Sequence, residues 1–596
     1  MEQDQLVYAA PLDAVQAAGK LVVSLNGHAI LLIAENGHVY ALDNRCPHMG
    51  FPLDRGTVCD GLLTCHWHHA RFDLATGGTF DLWAGDVRTY RVEIRGNEVW
   101  VDLTPTSSPV EHALQRLQDG LAHNLSLVLA KAALTLAENK AESTAYCEAA
   151  RFGVRYRQAG WGPGLTILIC MQNLAPWLAP QDRPLALYHG IVAVAADTQQ
   201  MPPHLPVRPL PGPARDNALY QRWFRQFVDV RDREGAERCL LSMLTNGADP
   251  TVIAETLFAA ITDHRYVSLG HPLDFTNKAL EALDGLGWDL APEILPSLVP
   301  GYVNGDRMEE HNQWRRPIDL VRILEQAFDV LPQALEQGQT RATQWSDETT
   351  LLPVLLGDDP QAIADALLDA LRDGAKPAHL AAAVTYAAAL RIAQFPTSNE
   401  FSDWDTALHT LSFAHAVERG LRRVPSPWLL RGVFDAAMSV YLDRFLNIPA
   451  VRIPSYPSLA GDPHEELATL ATLLDRQQQV QAAAETVARY QAKGGAIAPL
   501  VATLGQLLLR EDRNFHTIQM VEAAVSQVAQ RGNTPESWHM LLAATRYLAA
   551  HAPTARSQVQ TYRIAARLHR GERLYETVER EDGAALSVET QQAAPR

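Results

Sequence analysis

Cys46-Pro-His48 and Cys65-His-Trp-His68 decide how the first part of this chain is read. The pattern is Cys-x-His, sixteen intervening residues, then Cys-x-x-His. Each peptide offers one thiolate and one imidazole from a single short loop. Two cysteines and two histidines could hold a tetrahedral zinc ion, but zinc fingers usually place like ligands close together, two cysteines and then two histidines. Here each motif mixes the two types. A [2Fe–2S] cluster with one iron on two cysteines and the other on two histidines needs this mixed set. His66 and His69 flank the second loop and are alternatives to His68 as its nitrogen ligand.

The neighbouring residues extend the pattern. Gly50, Leu53 and Gly56 follow the first loop, and His69-Ala-Arg-Phe72-Asp73-Leu-Ala-Thr-Gly77-Gly78 follows the second. The stretch resembles the Rieske iron–sulfur family, as found in Rieske ferredoxins and the Rieske domains of oxygenases. That resemblance selects His68 and implies a cluster on Cys46, His48, Cys65 and His68. The cysteine-held iron would stay ferric, and the histidine-held iron, nearer solvent, would be the one reduced. Rieske proteins of respiratory complexes carry two further cysteines in a disulfide, where this chain has Phe51 and Trp67. Their Ser and Tyr hydroxyl donors are matched here by Ala70 and Phe72. Fewer donors to the cluster sulfurs imply a low-potential, ferredoxin-type centre.

Outward from the loops, residues 6–103 read as β structure. Leu21-Val-Val-Ser-Leu and Ala29-Ile-Leu-Leu-Ile flank Asn26-Gly27, a hairpin signal repeated at Asn36-Gly37. The expected organisation is multidomain: an all-β Rieske domain at 1–104, a polar linker at 105–110, a large all-α domain at 111–576 and a flexible tail at 577–596. The helical region is rich in Ala, Leu, Glu, Gln and Arg, with Leu114, Leu117, Leu121, Leu125 and Val128 on one face. It shows no fixed repeat period.

Composition narrows the partners. Six cysteines without a framework pattern and no secretory signal fit a reducing cytoplasm. The apolar run Leu165–Met171 is far too short to span a bilayer, so no membrane association is expected. A net charge of −17 argues against nucleic acid and suits docking of an electron-donating reductase or ferredoxin. There is no Walker A or dinucleotide-binding fingerprint, so a separate reductase must supply the electrons. The sequence leaves the oligomeric state open.

The destination of those electrons rests on the helical region. The Asp-x-x-His-x3–4-His pattern of the usual Rieske oxygenase catalytic domain is absent from the sequence. Histidines in metal-compatible settings are His189, within an apolar helix; His264 and His271, in a dense polar stretch; and His409 and His516. His264 and His271 would be about 10.5 Å apart along a straight helix, but Gly270 and Pro272 mark a helix break that could bring them together. Contexts such as Tyr188-His189-Gly190 and Gly270-His271-Pro272 resemble the questin oxidase-like helical oxygenases. That resemblance implies a non-haem iron on four histidines and a carboxylated lysine, here Lys278. It offers one histidine too many. The bland alternatives are core imidazoles at His189 and His409, a helix cap at His271, a surface ion pair between Asp274 and Lys278, and a half-exposed His516. Glu310 and His311 sit in a charged stretch read as a solvated face that could approach a site.

The leading expectation is therefore a Rieske-linked oxidoreductase. Electrons would enter at the [2Fe–2S] cluster and serve a mononuclear non-haem iron that oxygenates a small organic substrate. The alternatives are a ferredoxin-like electron carrier, or a redox sensor, with a helical docking scaffold.

Overall fold

The computed structural model describes residues 6–104, 108–213, 215–341, 348–574, 576–579 and 585–588. The first half of the expected linker and most of the expected tail lie outside these residues. Across the expected domain–tail boundary at 576, Glu576–Glu579 and Ala585–Val588 pair antiparallel.

The N-terminal domain is built from two antiparallel sheets. The larger contains β1 (Leu6–Pro11), β2 (Lys20–Leu25), β3 (His28–Glu35), β4 (His38–Asp43), β8 (Thr89–Arg95) and β9 (Glu98–Asp102), in the order β1-β9-β8-β4-β3-β2. The smaller joins β5 (Thr57–Cys59), β6 (Leu62–Thr64) and β7 (Arg71–Asp73). Asn26-Gly27 and Asn36-Gly37 make two-residue hairpin loops with positive φ at both positions, the geometry that matches strand twist. The domain is β-rich rather than wholly β, because α1 (Leu12–Ala18) lies between the first two strands and buries Val15.

Alternation along β3 feeds two cores. Ile30 and Leu32 join Val15, Val99 and Val101, whereas Leu31 and Ile33 join Leu42, Leu63, Phe72 and the two loop cysteines. The second core is the floor under both ligand loops. Each fully buried aliphatic or aromatic side chain there contributes about 1.5–3 kcal/mol. Gly77 closes the far side: its φ is +75°, and a Cβ would meet the Val87 carbonyl oxygen at 2.0 Å.

From 109 to 569 the regular elements among the described residues are helices, joined by 3-10 turns and by irregular stretches such as 448–463. The chain forms two compact units, 1–145 with 560–596, and 146–559. The first thus includes α2 (Pro109–His123) and α3 (Ser126–Glu138), beyond the expected boundary at 104. The predicted apolar face at 114–128 is not one helix. Asn124 adopts a left-handed conformation (φ 52°) and ends α2.

In the second unit, three helices matter most: His271–Leu286, Phe401–Arg423 and Phe515–Arg531. The first starts where predicted, after Gly270 (φ +89°) and with Pro272 in its first turn. A Cβ on Gly270 would lie 2.7 Å from Phe413 Cβ, so glycine permits close approach to the second helix. A Glu400–Asp403 capping box opens that second helix, and the Asn514 side chain caps the third. Among the described residues, no helix is long and apolar enough to cross a membrane.

Candidate metal centres

The two N-terminal loops share one backbone scheme. Cys46 N donates to Phe51 O and Gly50 N to Cys46 O, both at 2.8 Å. In the second loop Cys65 N donates to Ala70 O at 2.8 Å and His69 N to Cys65 O at 3.0 Å. Gly50 and His69 hold equivalent left-handed positions, with φ of 79° and 62°. The thiols are buried and hydrogen-bond one another. That bond, with backbone N–H groups of Trp67 and His68, pulls the Cys65 thiol down to about 6. His48 and Met49 direct N–H groups at Cys46 in the same way. Such donors stabilise negative charge on sulfur, whether thiolate or cluster ligand.

The imidazoles complete the set. His48 and His68 rings stand 4.7 Å apart at 82°. His48 Nδ1 is buried and meets no hydrogen-bond partner, an orphaned acceptor that a metal ion would satisfy. Burial, His68 and Lys131 push the His48 pKa down to about 4, which keeps the ring neutral and able to ligate. Two adjacent buried thiols and two converging imidazoles, one with a free nitrogen, fit a [2Fe–2S] cluster. Phe51 and Trp67 pack against one another at 5.7 Å, at the positions matched to the disulfide.

Lys131 on α3 was not singled out in the sequence. Its Nζ donates to Pro47 O and His48 O, each at 2.5 Å. It thus pins the first ligand loop from beneath with a positive charge, and burial lowers its pKa to about 8. The only sequence signal is a lone charge in the apolar run Leu129-Ala-Lys-Ala-Ala-Leu134.

In the helical unit, the structure brings together His271, His409 and His516. One ring nitrogen from each lies within 4.8 Å of the others. His409 Nε2 and His516 Nε2 are 3.0 Å apart, close to the separation of two nitrogens bound cis to one ion at about 2.1 Å. His271 Nδ1 is buried without a partner. Burial and the other two rings push His271 to about 3, and burial with His516 pushes His409 to about 4. Three imidazoles around one point suit a transition metal. Asp405, one turn before His409, was missed by sequence reasoning. Its Oδ2 lies 3.5 Å from His516 Nδ1, and the Tyr547 hydroxyl donates to it. Although burial opposes it, the His516 and Tyr547 hydrogen bonds hold Asp405 below the usual carboxylate range. Its Asp-x-x-x-His spacing to His409 was the available signal.

The remaining candidates lie outside this cluster, and each has another partner. His189 Nε2 hydrogen-bonds Leu509 O at 2.9 Å, as a core histidine would. His264 does not fold back toward His271 despite the helix break; its Nδ1 pairs with Glu309 Oε1 at 2.9 Å. Lys278 is neither a surface residue nor a partner of the triad. It is 1% exposed, and its ammonium donates to Glu281 Oε2 at 2.9 Å and Glu522 Oε2 at 2.7 Å. A charged ammonium held by two carboxylates is the wrong state for carboxylation, which needs the neutral amine. Glu310 and His311 are exposed, and Glu310 faces Arg231.

Comparison with known proteins places the resemblance in the N-terminal domain. A family profile for the Rieske [2Fe-2S] domain matches residues 5–90. Apoptosis-inducing factor 3 of Homo sapiens is 34% identical over 105 residues, 16% of this chain and 17% of that protein. The chain thus spans about a sixth of that relative's length. The ferredoxin component of a naphthalene 1,2-dioxygenase system of Pseudomonas aeruginosa is 32% identical over 85 residues, 14% of this chain and 82% of that protein. Among solved structures, the ferredoxin of carbazole 1,9a-dioxygenase from Nocardioides aromaticivorans IC177 is 28% identical and covered over 98% of its length, 17% of this chain, with a TM-score of 0.16. None of these matches supports the questin oxidase-like resemblance of the helical region. Through its N-terminal domain, the chain belongs to the Rieske [2Fe-2S] family.

Proposed function

We propose that this chain is a Rieske electron-transfer protein whose helical unit holds a second, redox-active iron at His271, His409 and His516 and oxygenates a small organic substrate. The observation that carries the reading is the convergence of three ring nitrogens from three helices, with a buried, unpartnered Nδ1 on His271. When bound, the [2Fe–2S] cluster supplies one-electron transfer, and an iron at the triad supplies activation of dioxygen.

The chain's own residues prepare both places. Cys46 and Cys65 are buried while His68 is exposed, so the histidine side is where an electron partner gains access. A ferredoxin reductase is the proposed donor, by analogy with the ferredoxin relatives. At the triad, Asp405 faces His516 Nδ1 and orients the ring. Phe275 and Phe515 pack on His271, with ring centroids at 5.4 and 5.7 Å, and restrict water.

Replacing His271 or His409 with Ala is expected to remove one metal ion per chain and abolish substrate-dependent oxygen uptake, while the Rieske visible and EPR spectra stay intact. If metal content and oxygen uptake are unchanged, the triad is structural. The relatives named as ferredoxin components favour a second reading, an electron carrier with a helical docking scaffold. In that case the chain passes electrons to an external acceptor at an undiminished rate in both variants.

A further inference from the structure

A cavity of about 410 Å3 lies beside the triad, with His409 and Thr410 in its wall. Tyr266, Trp314, Leu442 and Phe445 supply flat or apolar sides. Tyr266 stacks on Trp314 at 5.8 Å and meets Phe413 edge-on at 4.9 Å, so this wall is rigid. The volume is ample for two fused rings, since a cavity of about 150 Å3 accommodates benzene. No lysine or arginine lines it.

One polar group in this cavity is unaccounted for. Asp443 is 5% exposed, and its Oδ2 has no hydrogen-bond partner. The groups around it are the Thr410 hydroxyl, which bonds the carboxyl; Arg391, which acts at longer range; and the Tyr266 phenol. The Arg391 guanidinium is committed to Val440 O, Asn447 and Leu356 O. Burial raises the Asp443 pKa to about 7, so the neutral carboxyl is a major form at neutral pH. A buried carboxyl oxygen left unpaired costs about 1–3 kcal/mol, which a bound ligand can recover.

The backbone beside the cavity is strained. Tyr266, Ser268 and Leu269 all have positive φ, at 40°, 44° and 58°, and Tyr266 and Leu269 line the cavity. Each costs about 1–3 kcal/mol. Ser268 N donates to Asp306 O at 2.7 Å, and Met308 N to Arg265 O at 3.0 Å, which braces the turn. The strain directs Tyr266 against Trp314 immediately before the chain delivers His271 to the triad.

The geometry points to this cavity as the substrate pocket: it takes an uncharged, flat-ringed small molecule bearing a hydroxyl group, which donates to Asp443 Oδ2 and leaves the ring beside His409. The role in turnover rests on the proposed second metal; binding itself does not.

Equilibrium dialysis of the full chain with 2-naphthol, naphthalene and 2-naphthoate tests it. One equivalent of 2-naphthol is expected per chain, with naphthalene and 2-naphthoate at least tenfold weaker. Asp443→Leu should weaken 2-naphthol about tenfold, the loss of one hydrogen bond, and leave naphthalene unchanged. Phe445→Ala, at an exposed mouth position, should weaken both severalfold without touching the core. Equal binding of 2-naphthol and naphthalene, or an Asp443→Leu variant that binds 2-naphthol as the parent does, overturns the inference. Repeating the dialysis with His271→Ala separates the two claims. Asp443-dependent binding in a parent chain that holds no second metal upholds the pocket and rejects the metal reading. A second metal with no 2-naphthol bound rejects the pocket alone.

Discussion

Lys131 brings a positive charge against the loop that carries Cys46 and His48, where a reduced cluster would place extra negative charge. Replacing it with Met is expected to shift the cluster potential downward. An interaction of about 1 kcal/mol corresponds to about 40 mV for a one-electron couple. A redox titration followed by EPR checks this; an unchanged potential would show that the lysine only braces the loop. The four cluster ligands could be read from the sequence because each pair lies within one short loop, where spacing and geometry are nearly the same thing. Lys131 could not, since it reaches its carbonyl partners across 84 and 83 residues. The same limit divides the helical candidates. His264 and His409 are both ligand candidates from sequence, yet Glu309 claims one and the triad the other. Asp405 was within reach of sequence reading through its helical spacing to His409, but its contact with His516 depends on a second helix.

Helices that bring the triad together also carry a buried polar ladder. On the His271–Leu286 helix, Asp274 accepts from Gln519, and Lys278 bridges Glu281 and Glu522. On the Phe401–Arg423 helix, His415 and Glu418 share Gln527. Burial opposes charge on Lys278, but Glu281 and Glu522 hold its pKa well above the usual lysine value. Lys278→Met leaves Glu522 buried without its cationic partner, while Glu281 keeps Arg419, and should cost about 3–5 kcal/mol, read by urea denaturation of the helical signal. Adding Glu522→Leu should restore part of the loss. Asp274 makes a contribution of opposite kind, because burial, helped by Glu522 and Glu281, outweighs Lys278 and the Gln519 hydrogen bond and raises its pKa to about 7. A carboxyl with a raised folded-state pKa stabilises most below its unfolded value of 3.8. That contribution is lost as pH rises toward about 7. Asp274→Asn should therefore gain stability relative to the parent between about pH 4 and pH 7, with no relative change above it. A constant difference across that range would contradict the assignment.

At the scale of the whole molecule, a compact β-rich domain with a family signature is joined to a helical unit far larger than itself. Composition and hydrophobic spacing were enough to read both classes. They could not place the unit boundary, because α2 and α3 look like any amphipathic helices until Lys131 and the cluster loop are seen together. The account requires two kinds of iron centre in one chain. Anaerobic metal analysis of the full-length protein, set against spin quantification of its reduced Rieske EPR signal, measures this directly. The account predicts about three iron atoms per chain, two assigned to the cluster and one lost in His271→Ala. Two iron atoms per chain, all accounted for by the Rieske signal, or a triad filled by zinc, would contradict it.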